Sequence, residues 1–234
     1  MDKIIQSVSL HVSDGTKMDA YTVRPEAAGT YPGLLVFQEI FGVNQHIREV
    51  TERLAAQGYV AIAPDLFHRS APGFDGSYED LESGIAQASN LTRDGLVADI
   101  EAAFNWLNNN LAAQGRRIGS VGFCMGGRIA VLANAFVPLA AAVSYYGGVT
   151  PNMAELVPRL GAPMLFYWGG LDKHIPPEQH RTFTDAMKTA GKEYVDVEFS
   201  HADHGFFCDH RPAYNAQAAA ESWALTLAFL RNRL

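Results

Sequence analysis

The stretch Gly122-Phe123-Cys124-Met125-Gly126-Gly127 decides the fold of this chain. Residues 117–121 before it have the apolar character of a buried strand, and residues 128–134 after it have the pattern of a helix. A nucleophile flanked by glycines at a strand-to-helix turn is typical of a nucleophile elbow, a tight turn that exposes the central side chain. The stretch therefore predicts a reactive side chain at Cys124.

Three glycines supply the space that such an elbow needs. Gly122 and Gly126 leave room for the strained turn, and Gly127 lets the helix pack closely. Cys124 would stand at the helix N-terminus, where unpaired N–H groups and the helix dipole favour a thiolate or a developing oxyanion. The alternative is that Cys124 is a small apolar residue buried under the helix, as free cysteines often are.

Composition limits the class of protein. The 234 residues carry a net charge of −7 without a basic stripe, which argues against nucleic acid as a partner. Two cysteines, Cys124 and Cys208, do not make a disulfide framework. The N-terminus lacks the apolar run of a signal peptide, and no stretch has the length of a membrane span, so we expect a cytoplasmic protein without membrane contact.

The order of predicted elements indicates an α/β protein. An N-terminal hairpin is followed by alternating strands and helices, which predicts a mostly parallel sheet with helices on both faces. No linker or repeat interrupts residues 1–234, so we expect a single domain. Asn44 and Thr92 are predicted to open helices, the second with an apolar face that includes Leu111. The strands are predicted at 4–12, 18–24, 33–38, 60–63, 117–121, 139–146, 163–168 and 194–199, and the other helices at 78–88, 128–134, 179–190 and 215–231.

Four polar residues follow predicted strands, at the positions where open α/β sheets place their sites. Glu39 follows residues 33–38, and Cys124 follows the central strand. Asp172 and His204 come after two later strands, in the order nucleophile, acid, base of the α/β-hydrolase fold. Alone, Asp172 could be a turn former and His204 a loop histidine, but their agreement in order favours a catalytic triad.

Several motifs resemble the dienelactone hydrolase (carboxymethylenebutenolidase) family, and the resemblance runs from about residue 5 to residue 232. It implies the α/β-hydrolase fold and hydrolysis of a small ester or lactone, such as a dienelactone-like enol lactone, without a cofactor. The motifs are Gln38-Glu39-Ile40-Phe41-Gly42-Val43-Asn44, Gly122-Phe123-Cys124-Met125-Gly126-Gly127, Gly170-Leu171-Asp172 and Ala202-Asp203-His204-Gly205-Phe206.

The predicted mechanism assigns one role to each residue. Cys124 attacks the ester carbonyl to form an acyl-enzyme. His204 takes up the thiol proton and then activates water, while Asp172 orients His204. The backbone N–H groups of Met125 and, by position, Ile40 are the predicted oxyanion donors.

Glu39 has a different predicted role. A carboxylate near Cys124 would oppose thiolate formation. The resemblance implies that Glu39 holds the resting thiol and helps to deprotonate it when substrate binds; the alternative is a loop cap or salt bridge. We also predict that Tyr145 and Phe206 line the substrate pocket, the alternative for Tyr145 being a partly buried aromatic residue.

The chain departs from the family pattern after the catalytic histidine. Founding members of the family hold the substrate carboxylate with an arginine there, whereas this chain has Cys208 at that position. Arg211 is a candidate substitute, as are Arg69 and Arg93. A broad carboxylesterase or thioesterase is therefore an alternative function, and a non-catalytic binding protein is another.

Residues 201–210 also contain His201, His204, Cys208 and His210, a set that could hold a metal ion. These residues are not on an obvious helix and His204 already has a role, so we expect no metal. The expected partner is a small ester or lactone, and the expected assembly is a monomer or a small homo-oligomer.

Overall fold

A computed structural model describes residues 2–110, 112–113, 117–149 and 151–234. Contacts divide the chain into two compact units, Met1–Gly119 and Ser120–Leu234. The single domain over residues 1–234 stays a prediction. None of the helices in the described ranges combines the length and the apolar character needed to cross a membrane.

The first unit contains an N-terminal hairpin and a parallel strand pair. Its strands run in the order β1-β2-β4-β3, with β1/β2 and β2/β4 antiparallel and β3/β4 parallel. The elements are β1 (Lys3–His11), β2 (Lys17–Pro25), β3 (Gly33–Phe37), α1 (Gln45–Ala56), β4 (Val60–Pro64), α2 (Leu81–Ser89) and α3 (Arg93–Asn109).

The second unit contains the predicted elbow. Its strands run in the order β5-β6-β7-β8, and the pairs β6/β7 and β7/β8 are parallel. The first two residues of β5 belong to the first unit. The elements are β5 (Ile118–Phe123), α4 (Met125–Phe136), β6 (Ala141–Tyr145), a 3-10 helix (Pro151–Arg159), β7 (Met164–Gly169), α5 (Pro177–Thr189), β8 (Tyr194–Phe199) and α6 (Ala216–Arg231).

The α/β class with a mostly parallel sheet, predicted from sequence, is confirmed. Strands β3, β4, β5 and β6 are buried at every residue. Strands covered on both faces bury every side chain, which explains why these segments are continuous apolar runs. Strand β8 is largely exposed, and its burial does not follow the alternation of its sequence, since both Val195 and Asp196 are exposed.

Side-chain caps fix the helix starts. Asn44 Oδ1 accepts from the backbone N–H of Ile47 at 3.2 Å and caps α1, as predicted. Thr92 caps α3 in the same way. Asp80 caps α2, so this helix begins at Leu81 rather than at residue 78. No sequence pattern predicted the 3-10 helix, and the predicted position of Leu111 lies outside the described residues.

Candidate active site

The elbow places Cys124 between β5 and α4 in a strained backbone conformation. Its φ of 53° and ψ of −116° lie where a side chain is rarely found. A Cβ atom on Gly122 would lie 1.9 Å from the carbonyl oxygen of Gly126, and one on Gly127 would lie 2.7 Å from Gly147 Cα. These two close approaches require glycine, as the sequence predicts for Gly122 and Gly127.

The structure brings three predicted site residues together within the second unit. His204 Nε2 lies 3.2 Å from Cys124 Sγ, and His204 Nδ1 lies 2.7 Å from Asp172 Oδ2. Each residue follows a strand, as predicted: Cys124 after β5, Asp172 after β7 and His204 after β8. The imidazole thus connects a thiol to a carboxylate, an arrangement that a catalytic triad requires.

Asp172 is buried and firmly held. Its Oδ1 atom accepts hydrogen bonds from the backbone N–H groups of His174 at 2.7 Å and Ile175 at 3.1 Å. Burial raises the pKa of Asp172, but the hydrogen bond from His204 and these two backbone donors outweigh it, so its pKa lies below the ordinary value. The carboxylate therefore stays charged and keeps one orientation.

Opposing effects act on His204. Burial lowers the pKa of His204, but its hydrogen bonds with Asp172 and Cys124 raise that pKa from 6.5 to about 10. Because both ring nitrogens are engaged, His204 offers no free lone pair to a metal ion, and the absence of a metal stays a prediction.

Glu39 lies in the first unit, two residues after the end of β3. Its side chain is fully buried, and Oε2 accepts a hydrogen bond from the Tyr78 hydroxyl at 3.0 Å. Ile40, next in the chain, is half-buried. The thiol-controlling role of Glu39 and the oxyanion role of Ile40 stay predictions.

Tyr145 and Phe206 do not line an accessible surface, and the prediction that they form the pocket gains no support from their positions. Both side chains are 0% exposed. The Tyr145 hydroxyl lies 2.7 Å from Thr226 Oγ1, and its ring stacks on Phe123. The backbone carbonyl of Tyr145 accepts from Cys124 N–H at 2.9 Å, so this residue supports the elbow instead.

Sequence reasoning missed two side chains beside the imidazole. The rings of Tyr146 and His174 lie 5.2 Å and 5.4 Å from the ring of His204, both edge-on. Tyr146 has a positive φ of 38°, so the chain turns sharply just after β6. The glycine pair that follows Tyr146 marks the end of the strand, but it does not show which tyrosine faces the histidine.

Comparison with known proteins gives one family. The dienelactone hydrolase family model matches residues 18–234. A Synechocystis sp. protein provisionally named carboxymethylenebutenolidase is 36% identical over 213 residues, covering 87% of this chain and 87% of its own. The carboxymethylenebutenolidase of Pseudomonas putida is 32% identical, covering 97% of this chain and 96% of its own. A Klebsiella pneumoniae crystal structure provisionally named dienelactone hydrolase has a TM-score of 0.91 and 33% identity, with 99% of both chains covered.

Replacing Gly122 by alanine tests the elbow. We expect Gly122→Ala to lower the free energy of unfolding by about 3 kcal/mol, because the new methyl group would collide with a backbone carbonyl that cannot move aside. Gly161→Ala is the matched control, since a Cβ there meets nothing within 4 Å and should change stability by about 0.5 kcal/mol at most. Equal effects in urea denaturation would contradict the crowding at Gly122.

Replacing Asp172 by asparagine tests the origin of the raised His204 pKa. We expect Asp172→Asn to lower that pKa from about 10, because the charged acceptor at Nδ1 is lost. NMR titration of the imidazole resonances measures it. Asp203→Asn is the control, since Asp203 Oδ1 accepts from the backbone N–H of His204 rather than from its imidazole. An unchanged pKa in Asp172→Asn would disprove the assignment.

The same shift has a consequence for stability. The folded-state pKa of His204 is about 10 and its ordinary value is 6.5, so folding tightens proton binding. This stabilisation is complete below pH 6.5 and is lost as the pH rises through 10. The free energy of unfolding should therefore fall across this range in the natural protein and fall less in Asp172→Asn.

Proposed function

Because the chain belongs to the dienelactone hydrolase family and has the α/β-hydrolase fold, we propose that this hydrolase cleaves a small ester or lactone through Cys124, His204 and Asp172. One observation carries the proposal: the His204 ring lies 3.2 Å from the Cys124 sulfur and 2.7 Å from the Asp172 carboxylate. A nucleophile, a base and an orienting acid in hydrogen-bond reach are the requirements of covalent ester hydrolysis.

The first half-reaction transfers the acyl group to sulfur. Cys124 Sγ attacks the carbonyl carbon as the thiol proton resides on His204 Nε2, and the carbonyl oxygen becomes an oxyanion. The oxyanion then collapses, the bond to the leaving oxygen breaks, and His204 gives its proton to that oxygen. The product is a thioester on Cys124: a simple ester releases its alcohol at this point, whereas the enol formed from a lactone stays attached to the acyl group.

The second half-reaction returns the enzyme to its starting state. His204 takes a proton from water, and the resulting hydroxide attacks the thioester carbon. The carbon–sulfur bond breaks, the acid leaves, and the proton returns to the Cys124–His204 pair. Asp172 holds the imidazole in one orientation through both steps, and its backbone donors keep it from rotating.

The helix start supports one oxyanion donor. Met125 is the first residue of α4, and the first N–H groups of a helix lack a partner within that helix. Its N–H, directly after the nucleophile, is the donor we assign, with Ile40 N–H as the second. A preorganised donor of this kind contributes about 3–4 kcal/mol to transition-state stabilisation.

We assign Glu39 the control of the resting thiol. In the family that the chain belongs to, the residue at this place in the motif holds the thiol while the site is empty and takes part in its deprotonation. The full burial of Glu39 supports a specific role, since burying a carboxylate is costly unless hydrogen bonds hold it.

The substrate class depends on Arg211. A Cβ atom on Gly205 would lie 2.4 Å from Arg211 Nη1, so this guanidinium packs against the residue that follows His204. That position suits a cation that binds a substrate carboxylate. Cys208, which stands where the family has its arginine, is buried. We therefore propose a carboxylated ester or lactone, with the broad carboxylesterase or thioesterase as the second candidate because Cys208 replaces the family's arginine.

Removing the nucleophile tests the chemistry. We expect Cys124→Ala to lower kcat for a small aryl ester by about 10⁴-fold or more, because no acyl-enzyme can form. Cys208→Ala is the matched control, since the second free cysteine is buried outside the triad and its loss should leave kcat nearly unchanged. Retained turnover in folded Cys124→Ala would refute the proposed nucleophile, and no ester cleavage by the natural protein would favour a binding protein.

Replacing Arg211 by glutamine tests the substrate class. Arg211→Gln should raise KM for a carboxylated lactone by about tenfold, because a charge-assisted hydrogen bond is lost, and leave KM for a neutral aryl ester unchanged. Steady-state kinetics on both substrates measure the difference. If the two KM values change equally, Arg211 does not bind a substrate carboxylate, and a broad carboxylesterase or thioesterase becomes the better assignment of function.

A further inference from the structure

The Tyr78 hydroxyl connects two polar side chains in the first unit. It lies 3.0 Å from Glu39 Oε2 and 3.0 Å from Asn44 Nδ2. The hydrogen bond to Glu39 spans 39 residues of the chain. Tyr78 precedes α2 and is not part of it, because Asp80 caps that helix. The three side chains form a continuous row of hydrogen bonds that ends on the Glu39 carboxylate.

The helix cap fixes the direction of these hydrogen bonds. Asn44 Oδ1 is occupied as the acceptor of the Ile47 N–H, so the amide nitrogen Nδ2 points towards Tyr78. An amide nitrogen can only donate, so the phenol oxygen accepts from Asn44. Tyr78 then has a single proton, and the geometry directs it to Glu39. The start of α1 thereby determines that Glu39 Oε2 receives a hydrogen bond.

The segment that carries Tyr78 is fastened to the segment that carries Glu39. Gly76 N–H donates to the Phe41 carbonyl at 2.9 Å, and Gly42 and Asp75 form a β-bridge. The Tyr78 ring packs edge-on against Phe41 with ring centres 4.6 Å apart. The ring position is therefore set by backbone contacts and packing, independently of its hydroxyl.

We propose that Tyr78 is a positioning residue that holds Glu39 in one orientation for its part in proton transfer, with Asn44 setting the direction of the hydrogen bond. The proposal rests on the proposed function, in which Glu39 controls the thiol of Cys124. Tyr78 limits the rotation of the buried Glu39 carboxylate, so that this carboxylate is already oriented when substrate arrives.

A double-mutant cycle tests whether Tyr78 acts through Glu39. Tyr78→Phe removes only the hydroxyl and should lower kcat for an aryl ester about tenfold, with KM changed by about twofold at most, because one hydrogen bond to a charged group is lost. In the Glu39→Gln background the same substitution should have little further effect. Tyr21→Phe is the matched control, since it removes another tyrosine–carboxylate hydrogen bond, to Glu52.

Two substitutions at Asn44 test the direction of the hydrogen bond. Asn44→Asp keeps a cap for α1 but turns the donor at Tyr78 into an acceptor, so the phenol proton is drawn away from Glu39 and kcat should fall as in Tyr78→Phe. Asn44→Ser keeps a cap without presenting a competing acceptor and should lower kcat less. Equal losses in both variants would overturn the directional part of the proposal.

The outcomes distinguish failure of the positioning role of Tyr78 from failure of the proposed function. If Tyr78→Phe costs the same in the natural and Glu39→Gln backgrounds, positioning through Glu39 is overturned while the triad stands. If Glu39→Gln itself leaves kcat unchanged, the role of Glu39 fails and the positioning role fails with it. Retained hydrolysis in Cys124→Ala is the separate result that refutes the proposed function. Thermal denaturation of every variant tests whether a loss of kcat comes from loss of the folded structure.

Discussion

The strained turn at Cys124 is the constraint on which the candidate site depends. A residue at φ 53° persists only where its surroundings impose that conformation, and here two glycines and the carbonyl of Tyr145 impose it. The turn aims the sulfur at His204 and starts α4 at the next residue. In the proposed mechanism, this one backbone conformation sets both the direction of the nucleophile and the donor that faces the developing oxyanion.

Electrostatics follow from that geometry. His204 lies between a sulfur and a carboxylate that is itself held by two backbone donors, so its pKa is raised to about 10 despite burial. In the proposed mechanism His204 must therefore give up a firmly held proton to the leaving group.

The strand ends and the residues that follow them could be predicted from the sequence. Buried parallel strands are continuous apolar runs, and the polar residues after each run mark where the strand ends. The orientation of side chains within a turn could not be predicted from the sequence. Tyr145 stands at the end of its strand, but the sequence does not show that the ring of the next residue, Tyr146, packs against His204. The Tyr78–Glu39 hydrogen bond joins residues far apart in the chain. The packing of their loops brings them together, and the hydrophobic periodicity of a sequence does not predict loop packing.

Mass spectrometry of the enzyme quenched during turnover of a slowly hydrolysed aryl ester tests the central claim most directly. The account predicts an added acyl mass on the peptide that contains Cys124, formed and lost at rates consistent with kcat, and none on the peptide that contains Cys208. Turnover without any acylated protein, or an acyl group on another residue, would contradict it.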